Sequence, residues 1–385
     1  MAMVSASSLA APPTARDSIA HFYEDPDLDT VSGLIEAMAH RGLLDRKSAI
    51  PPVVGFLAAL FERHPGRVDG WVADQGNPRA HWITALALAI SGHRQKAIAL
   101  AQRNGWAQKY LDVLNRQPAG LRDLPLNGPT RFDIMWGASF ATGDPVFTIR
   151  ILDKIEEGLE LHGFAVDDVA AVADSRPNGR ADRLKSVRSR LGDDEFVRLL
   201  PYGIALWGVA SNAAQHSFVA ETVEDRIAAA PNSALADALR RGLFLSKYPI
   251  VAKAAGKSLN VIVSQTADNS DLEAGRSSPE QMEALFQRFD NVFARGSAVF
   301  LAVLIKQNAA LSVHYSMSVT RPDGKRIHMG PFDTAVRETD SIVVKMYPLP
   351  IGRTATSGIY TIRSTFSAGE TGELTVENRL LLTGH

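Results

Sequence analysis

The spacing of apolar residues changes character once along the chain, and that change sets the architecture the sequence predicts. Up to Gly256, apolar side chains recur every three or four positions, as on one face of a helix. From Val299 onward they alternate with polar ones, as along a half-buried strand. Val31, Leu34, Ile35 and Met38 mark a first helix, with Asp29 or Thr30 as its cap. Phe56, Leu57, Leu60 and Phe61 mark a second, entered through Ser48 and the pair Pro51-Pro52. Trp82, Ala85, Leu86, Ala89 and Ile90 mark a third, which turns at Ser91-Gly92 into another.

The fullest unit runs from Arg131 to Leu159. Phe132, Met135, Trp136 and Phe140 form one stripe, and Gly143 suits the left-handed position that ends a helix. Asp144 can cap the next helix and Pro145 can start it, with Phe147, Ile151, Leu152, Ile155 and Leu159 on its buried face. Tyr202 to Ile227 echoes this unit: Trp207-Gly208 and Phe218 keep the separation of Trp136-Gly137 and Phe147. Neither helix of such a pair can bury its stripe alone, so stacked helical pairs are expected, with Trp136 and Trp207 as core anchors. The small residues of Gly92-x4-Ala97-x3-Ala101 resemble the close-approach positions of tetratricopeptide repeats. That resemblance implies a solenoid presenting an extended binding surface. Gln117 to Thr130, rich in Pro and Gly, interrupts the helices as a surface loop that could carry function. Pro201 is expected to kink or restart the helix around it.

After Gly256, Ser258 to Gln265 reads as a short strand. Thr266 to Ser278 is a polar joint, and Ser278-Pro279-Glu280-Gln281 is a capping box that starts a helix bearing Met282, Leu285, Phe286, Phe289 and Phe293. Leu311, Val313, Tyr315, Met317 and Val319 alternate, Arg321 to Gly324 turns, and Ile327 with Met329 return. Further strands follow at Ile342 to Met346, Tyr360 to Phe366 and Leu374 to Leu382. Gly358-Ile359-Tyr360-Thr361-Ile362 resembles the entry to a late strand in immunoglobulin-like and fibronectin-like domains, which implies a sandwich that docks or adheres. The expected organisation is a disordered N-terminus over residues 1–16, an all-α helical-pair solenoid over 17–265, and an antiparallel immunoglobulin-like β-sandwich over 266–385 with a leading helix over 279–293.

Composition narrows the chemistry. The length of 385 residues favours more than one domain. With 41 Lys plus Arg against 42 Asp plus Glu, net charge offers no global attraction for nucleic acid or anionic membranes. The longest apolar runs, Val53 to Phe61 and Ser297 to Ile305, fall well short of the roughly 20 residues that span a bilayer, so a soluble protein without membrane insertion is expected. Cysteine is absent, which excludes disulfides, thiolate catalysis and Cys-ligated metals. Met1 to Arg16 has the small residues of a signal cleavage region but no basic start or apolar core, so no signal peptide is read. Cytoplasmic and exported locations both fit.

Candidate sites are few, and no catalytic constellation or cofactor motif stands out. Asp25, Asp27, Asp29 and Glu36 occupy ligand spacings of a calcium loop, but Thr30 replaces its glycine and Pro26 stiffens it. Helix capping is the simpler role for these acids. Gly256-Lys257-Ser258 has the tail of a phosphate loop without its first glycine, and Gly137 to Ala141 approaches a nucleophile elbow around Ser139 without its last glycine. Ser211, Asn212, Gln215 and His216 form a polar knot that could hold a ligand. The run over 176–190, with Arg180, Arg183, Lys185, Arg188 and Arg190 beside a stripe of Leu184, Val187 and Leu191, is a basic helix that could meet phosphate but lacks interleaved aromatics. The expected function is therefore non-catalytic interaction or scaffolding with a protein or peptide partner. An enzyme assembled from distant residues and a nucleic-acid binder using the basic helix are the alternatives.

Overall fold

The computed structural model describes residues 19–73, 76–174, 180–248, 251–256, 259–267, 281–282, 286, 289–306, 310–337, 342–352, 354–369 and 372–383. These residues carry thirteen α-helices followed by nine strands in two sheets. The chain divides into two compact units. One joins Met1–Ala173 to Val187–Gly242, and the other joins Asp174–Ser186 to Leu243–His385. No helix among the described residues is long and apolar enough to cross a membrane.

The helical unit contains α1 (Val31–His40), α2 (Ile50–Arg63), α3 (Val68–Ala73), α4 (Pro78–Ile90), α5 (Arg94–Arg103), α6 (Gln108–Asn115), α7 (Pro129–Thr142), α8 (Pro145–Glu156) and α9 (Val166–Ala173). Helix α10 (Arg180–Leu191) crosses the division, α11 (Asp193–Ala213) and α12 (Ser217–Ala229) follow, and α13 (Ala234–Lys247) crosses back. Local signals act as their chemistry dictates. Gly143 ends α7 at φ +64°, and the Asp144 carboxylate accepts the Val146 N–H at 3.0 Å to cap α8. Helix α11 runs unbroken through Pro201, where a kink or restart is expected. Its packing against α8, α9 and α12 offsets the one lost backbone bond.

The tightest packing in this unit is between α2 and α7. A Cβ on Gly55 would sit 1.8 Å from the Ile134 carbonyl oxygen, and one on Gly137 would sit 1.8 Å from that of Pro52. The two backbones touch because neither residue has a side chain. Around this contact Val54, Phe56, Phe61, Ile134, Met135 and Trp136 are buried. Trp136 is thus the core anchor its stripe predicts. Trp207 is not: it is 46% exposed, because α11 buries Tyr202, Leu206 and Val209 and turns Val197 and Trp207 outward.

In the other unit the sheets have strand orders β1-β2-β4-β7 and β3-β9-β8-β5-β6. The strands are β1 (Val251–Ala255), β2 (Asn260–Thr266), β3 (Val292–Ala294), β4 (Phe300–Lys306), β5 (Leu311–Thr320), β6 (Arg326–Val336), β7 (Ile342–Pro348), β8 (Gly358–Ser367) and β9 (Glu373–Thr383). All pairs are antiparallel except β3 with β9. Alternate residues of both sheets, among them Val261, Val303, Val319, Tyr360 and Leu380, share one apolar cluster. Gln265, on the same face of β2 as Val261 and Val263, brings into the buried region a side-chain amide with no hydrogen-bond partner among the described residues. Met282, Phe286 and Phe289 pack on the opposite face of the first sheet. The helix expected over 279–293 does not reach its end, since Val292–Ala294 pairs with β9 as a strand. The strands also start earlier than a boundary at Thr266 would have it. Here β1 and β2 pair with each other and β2 with β4, and the division falls at Leu243. The polar joint lies largely outside the described residues.

The α2–α7 contact gives a paired expectation. Gly137→Ala should cost about 1–3 kcal/mol or more, because a methyl must force two backbones apart. Gly33→Ala, exposed in α1 with nothing near its Cβ position, should stabilise by about 0.5–1 kcal/mol. Chemical denaturation of both variants reads the two signs.

Candidate functional site

The segment interrupting the helices between Gln117 and Thr130 is anchored at Leu121 and Leu124. Both residues are fully buried. The Glu62 carboxylate on α2 accepts the Leu121 N–H at 2.8 Å. From the other side Arg150 on α8 donates to the carbonyl oxygens of Leu121 at 2.6 Å and Leu124 at 2.8 Å. The backbone groups of a non-helical segment need such partners wherever water is excluded. Between this segment and α8 lies a cleft of about 390 Å³, lined by Pro125, Leu126 and Asn127 on one wall and Arg150, Asp153, Lys154 and Glu157 on the other. Its volume is in the range of about 300–1,000 Å³ that suits small ligands.

Glu157 opens a π-helical turn, Glu157–Leu161, that continues α8. Such a widened turn re-aims side chains and recurs at functional sites. One oxygen, Oε1, takes Lys154 Nζ at 2.6 Å, Tyr202 Oη at 3.3 Å and His162 Nε2 at 3.4 Å. Gly158 makes this possible, because a Cβ there would lie 2.5 Å from the Tyr202 ring. Burial pushes the Glu157 carboxyl up, but the Lys154 ammonium and the hydrogen bonds from His162 and Tyr202 more than offset it and hold the group below the usual carboxylate range. Glu157 is therefore a standing carboxylate near neutral pH, poorly suited to general acid catalysis. Arg226 on α12 bridges Asp153 at 3.0 Å and Glu156 at 2.5 Å. Arg150 forms no ion pair among the described residues. Burial lowers its pKa, while Asp123 and Asp153 act the other way.

A second feature of the same unit is an aromatic surface. Trp82 on α4, Trp106, and Tyr110 on α6 meet with centroids 5.4, 5.2 and 6.3 Å apart. Tyr110 is 40% and Val113 36% exposed, Lys109 lies over the Tyr110 ring, and both tryptophans are half-buried.

The residues singled out by sequence fare unevenly. Of the polar knot, Asn212 and Gln215 turn back onto carbonyls of their own helix end, at Gly208 and Ser211. His216 instead is buried beside Tyr23, Phe140 and Phe218, with Tyr23 Oη 3.3 Å from its Nδ1 and the His21 ring 5.1 Å away. Burial drives His216 down to about 4, with His21 adding to it, and burial with the Glu24 hydrogen bond pushes Tyr23 up to about 12. The calcium-spaced acids scatter: Asp27 accepts the Asp29 N–H, Asp29 pairs with Arg67, and Glu36 holds the backbone N–H groups of Gly76 and Asn77. They do not converge with Asp25, and no cluster able to hold a metal occurs among the described residues. Thr30 stands at the N-cap of α1 and forms no side-chain cap hydrogen bond. In the basic run Arg183 pairs with Asp174 at 3.2 Å, Arg188 with Asp193 at 2.7 Å and Arg190 with Asp168, while Lys185 is exposed. The side chain of Arg180, Arg176, and the Lys257-Ser258 pair of the phosphate-loop reading lie outside the described residues. Ser139 is fully buried and is no accessible nucleophile.

Sequence reading missed the Glu157 cleft because its partners come from separate helices. Its local trace is a glycine breaking the helical pattern after Glu156-Glu157, with Lys154 one turn before.

The cluster around His216 generates a pH expectation. A histidine whose pKa is depressed by folding stabilises the native state above its unfolded value of 6.5 and loses that contribution as pH falls toward about 4. The melting temperature should rise between those limits, and His216→Leu should flatten the rise. An unchanged slope in the variant would remove His216 as its cause.

No protein-family model matches this chain, and no curated protein matches it. Among solved structures, the soluble domain of PmoD from Methylocystis sp. ATCC 49242 (Rockwell) aligns over 34% of this chain and 97% of its own, at 9% identity and a TM-score of 0.19. The Pseudomonas fluorescens alkylpurine DNA glycosylase AlkC, bound to DNA containing an abasic site analog, aligns over 96% of this chain and 88% of its own, at 12% identity and a TM-score of 0.18. Superpositions this loose bear on neither fold nor function, and the residues themselves carry the functional reading.

Proposed function

We propose that this protein acts by binding a protein or peptide partner, without a catalytic centre. The observation that carries the reading is the surface of Trp82, Trp106 and Tyr110 with exposed Val113, since Trp and Tyr dominate the energetics of protein interfaces. In this reading the helices are the stacked pairs of a solenoid that displays the aromatic surface. The two sheets are an immunoglobulin-like sandwich, with the edge strands β1, β7, β3 and β6 offering further docking sites. A net charge of -1 supports a protein partner over a bulk polyanion. The nucleic-acid alternative is weakened because Arg183, Arg188 and Arg190 already hold carboxylates of their own chain. The enzyme alternative is weakened because Glu157 is tied to Lys154 and its carboxyl is held below the usual carboxylate range, away from neutrality.

Immobilised full-length chain, incubated with source-cell extract, should retain a defined set of proteins. Truncating Trp106 and Tyr110 to Ala should weaken retention by about 30-fold or more, the effect of losing one interface hot spot. The melting temperature controls for folding. Equal recovery by the folded variant, or recovery of nucleic acid that is released steeply with salt, would overturn this reading.

A further inference from the structure

The cleft beside Glu157 has a pattern of charge that specifies a ligand, separate from docking at the aromatic surface. Its wall carries two cations, Arg150 and Lys154, and two carboxylates, Asp153 and Glu157. Lys154 pairs with Glu157, while Asp153 shares the single Arg226 with Glu156 and so keeps part of its charge for a ligand. Arg150 alone among the four has no ionic partner among the described residues. It spends donors on the Leu121 and Leu124 carbonyls and one on the Met135 sulfur, and a guanidinium with five N–H groups has more than these use. A half-buried, permanently charged group with spare donors at a cleft wall calls for an anion.

The neighbouring carboxylates then decide what kind of anion. Asp153 is one helical turn from Arg150, and Glu157 one turn further. A doubly charged phosphate would be repelled by both. A single carboxylate is tolerated, and a cation joined to it is attracted. Glu157 uses only Oε1 for its three protein partners and keeps Oε2 for another donor. Asn127, on the facing wall, can both donate and accept.

We propose that this cleft binds a small zwitterion of the amino-acid class, its carboxylate on Arg150 and its ammonium between Asp153 and Glu157. Free amino acids and short peptides share this chemistry. The segment that forms this wall is clamped at Leu121 and Leu124 by Glu62 and Arg150, which lessens the ordering that opposes binding.

The test is isothermal titration of the full-length protein with the common free L-α-amino acids and with glycine-containing dipeptides, which separates the two sources. Each compound that binds is repeated as its N-acetyl and its carboxamide form, and inorganic phosphate is titrated alongside. Binding by at least one free zwitterion is expected, weakened about 10- to 100-fold by blocking either end, as for loss of one charge-assisted hydrogen bond. Glu157→Gln should weaken the free form and should not weaken the acetylated form, since the change removes the ammonium's partner and frees Lys154. Arg150→Met should abolish binding, and because Arg150 also holds the loop, the comparison of blocked ligands on the parent protein stands independently of that variant's folding. The proposal is overturned if no free amino acid or dipeptide binds, if a blocked form binds as tightly as the free one, or if phosphate binds in preference.

Discussion

Two helices whose backbones touch govern the geometry of the helical unit. Gly55 and Gly137 bring α2 and α7 to a separation that no residue with a side chain would permit. The wall of the cleft formed by the segment after Gln117 hangs from that spacing. Glu62 leaves α2 and Arg150 leaves α8, which packs on α7, and together they grip the same short segment by its Leu121 N–H and its Leu121 and Leu124 carbonyls. The segment is irregular in dihedral angle but fixed in position, which is how a connection outside regular structure becomes one wall of a binding cleft.

The opposite wall uses a different device. The π-helical turn at Glu157 shifts the side chains that follow, so that His162 and Tyr202 reach the carboxylate already paired with Lys154, and Gly158 leaves room for the tyrosine ring. The outcome is a polar site whose charges are mostly settled among themselves. Such a network fixes orientation and rewards a ligand that completes it, and it holds the Glu157 carboxyl ionised at neutral pH. The same economy appears in the basic helix, where three arginines are bound to acids of the chain.

Local chemistry made much of the fold legible. The caps at Gly143 and Asp144, the alternation of Leu311 to Val319 and the turn at Arg321 to Gly324 are set by neighbouring residues, and the structure follows them. Trp136 was readable as core because its stripe is complete. Trp207 was not readable as surface, since only the packing of Gly203 against α9 and of Tyr202 on Gly158 decides which side of α11 turns inward. Strand β1 escaped notice because Val251 to Ala255 holds small residues and a lysine instead of an apolar alternation, and it is strand only through its pairing with β2. The cleft was visible in half: the interruption at Gln117 to Thr130 pointed to one wall, while the other depends on Tyr202, distant from Glu157 in sequence.

The central claim, that the α2–α7 contact positions the cleft, is tested most directly by hydrogen exchange of backbone amides in Gly137→Ala against the parent under native conditions. If the contact sets the spacing of Glu62 and Arg150, protection should fall at the Leu121 N–H and along residues 121–127 and α8 as well as in α2 and α7. Loss of protection confined to the turns flanking residue 137, with the Leu121 amide as slow as in the parent, would contradict it.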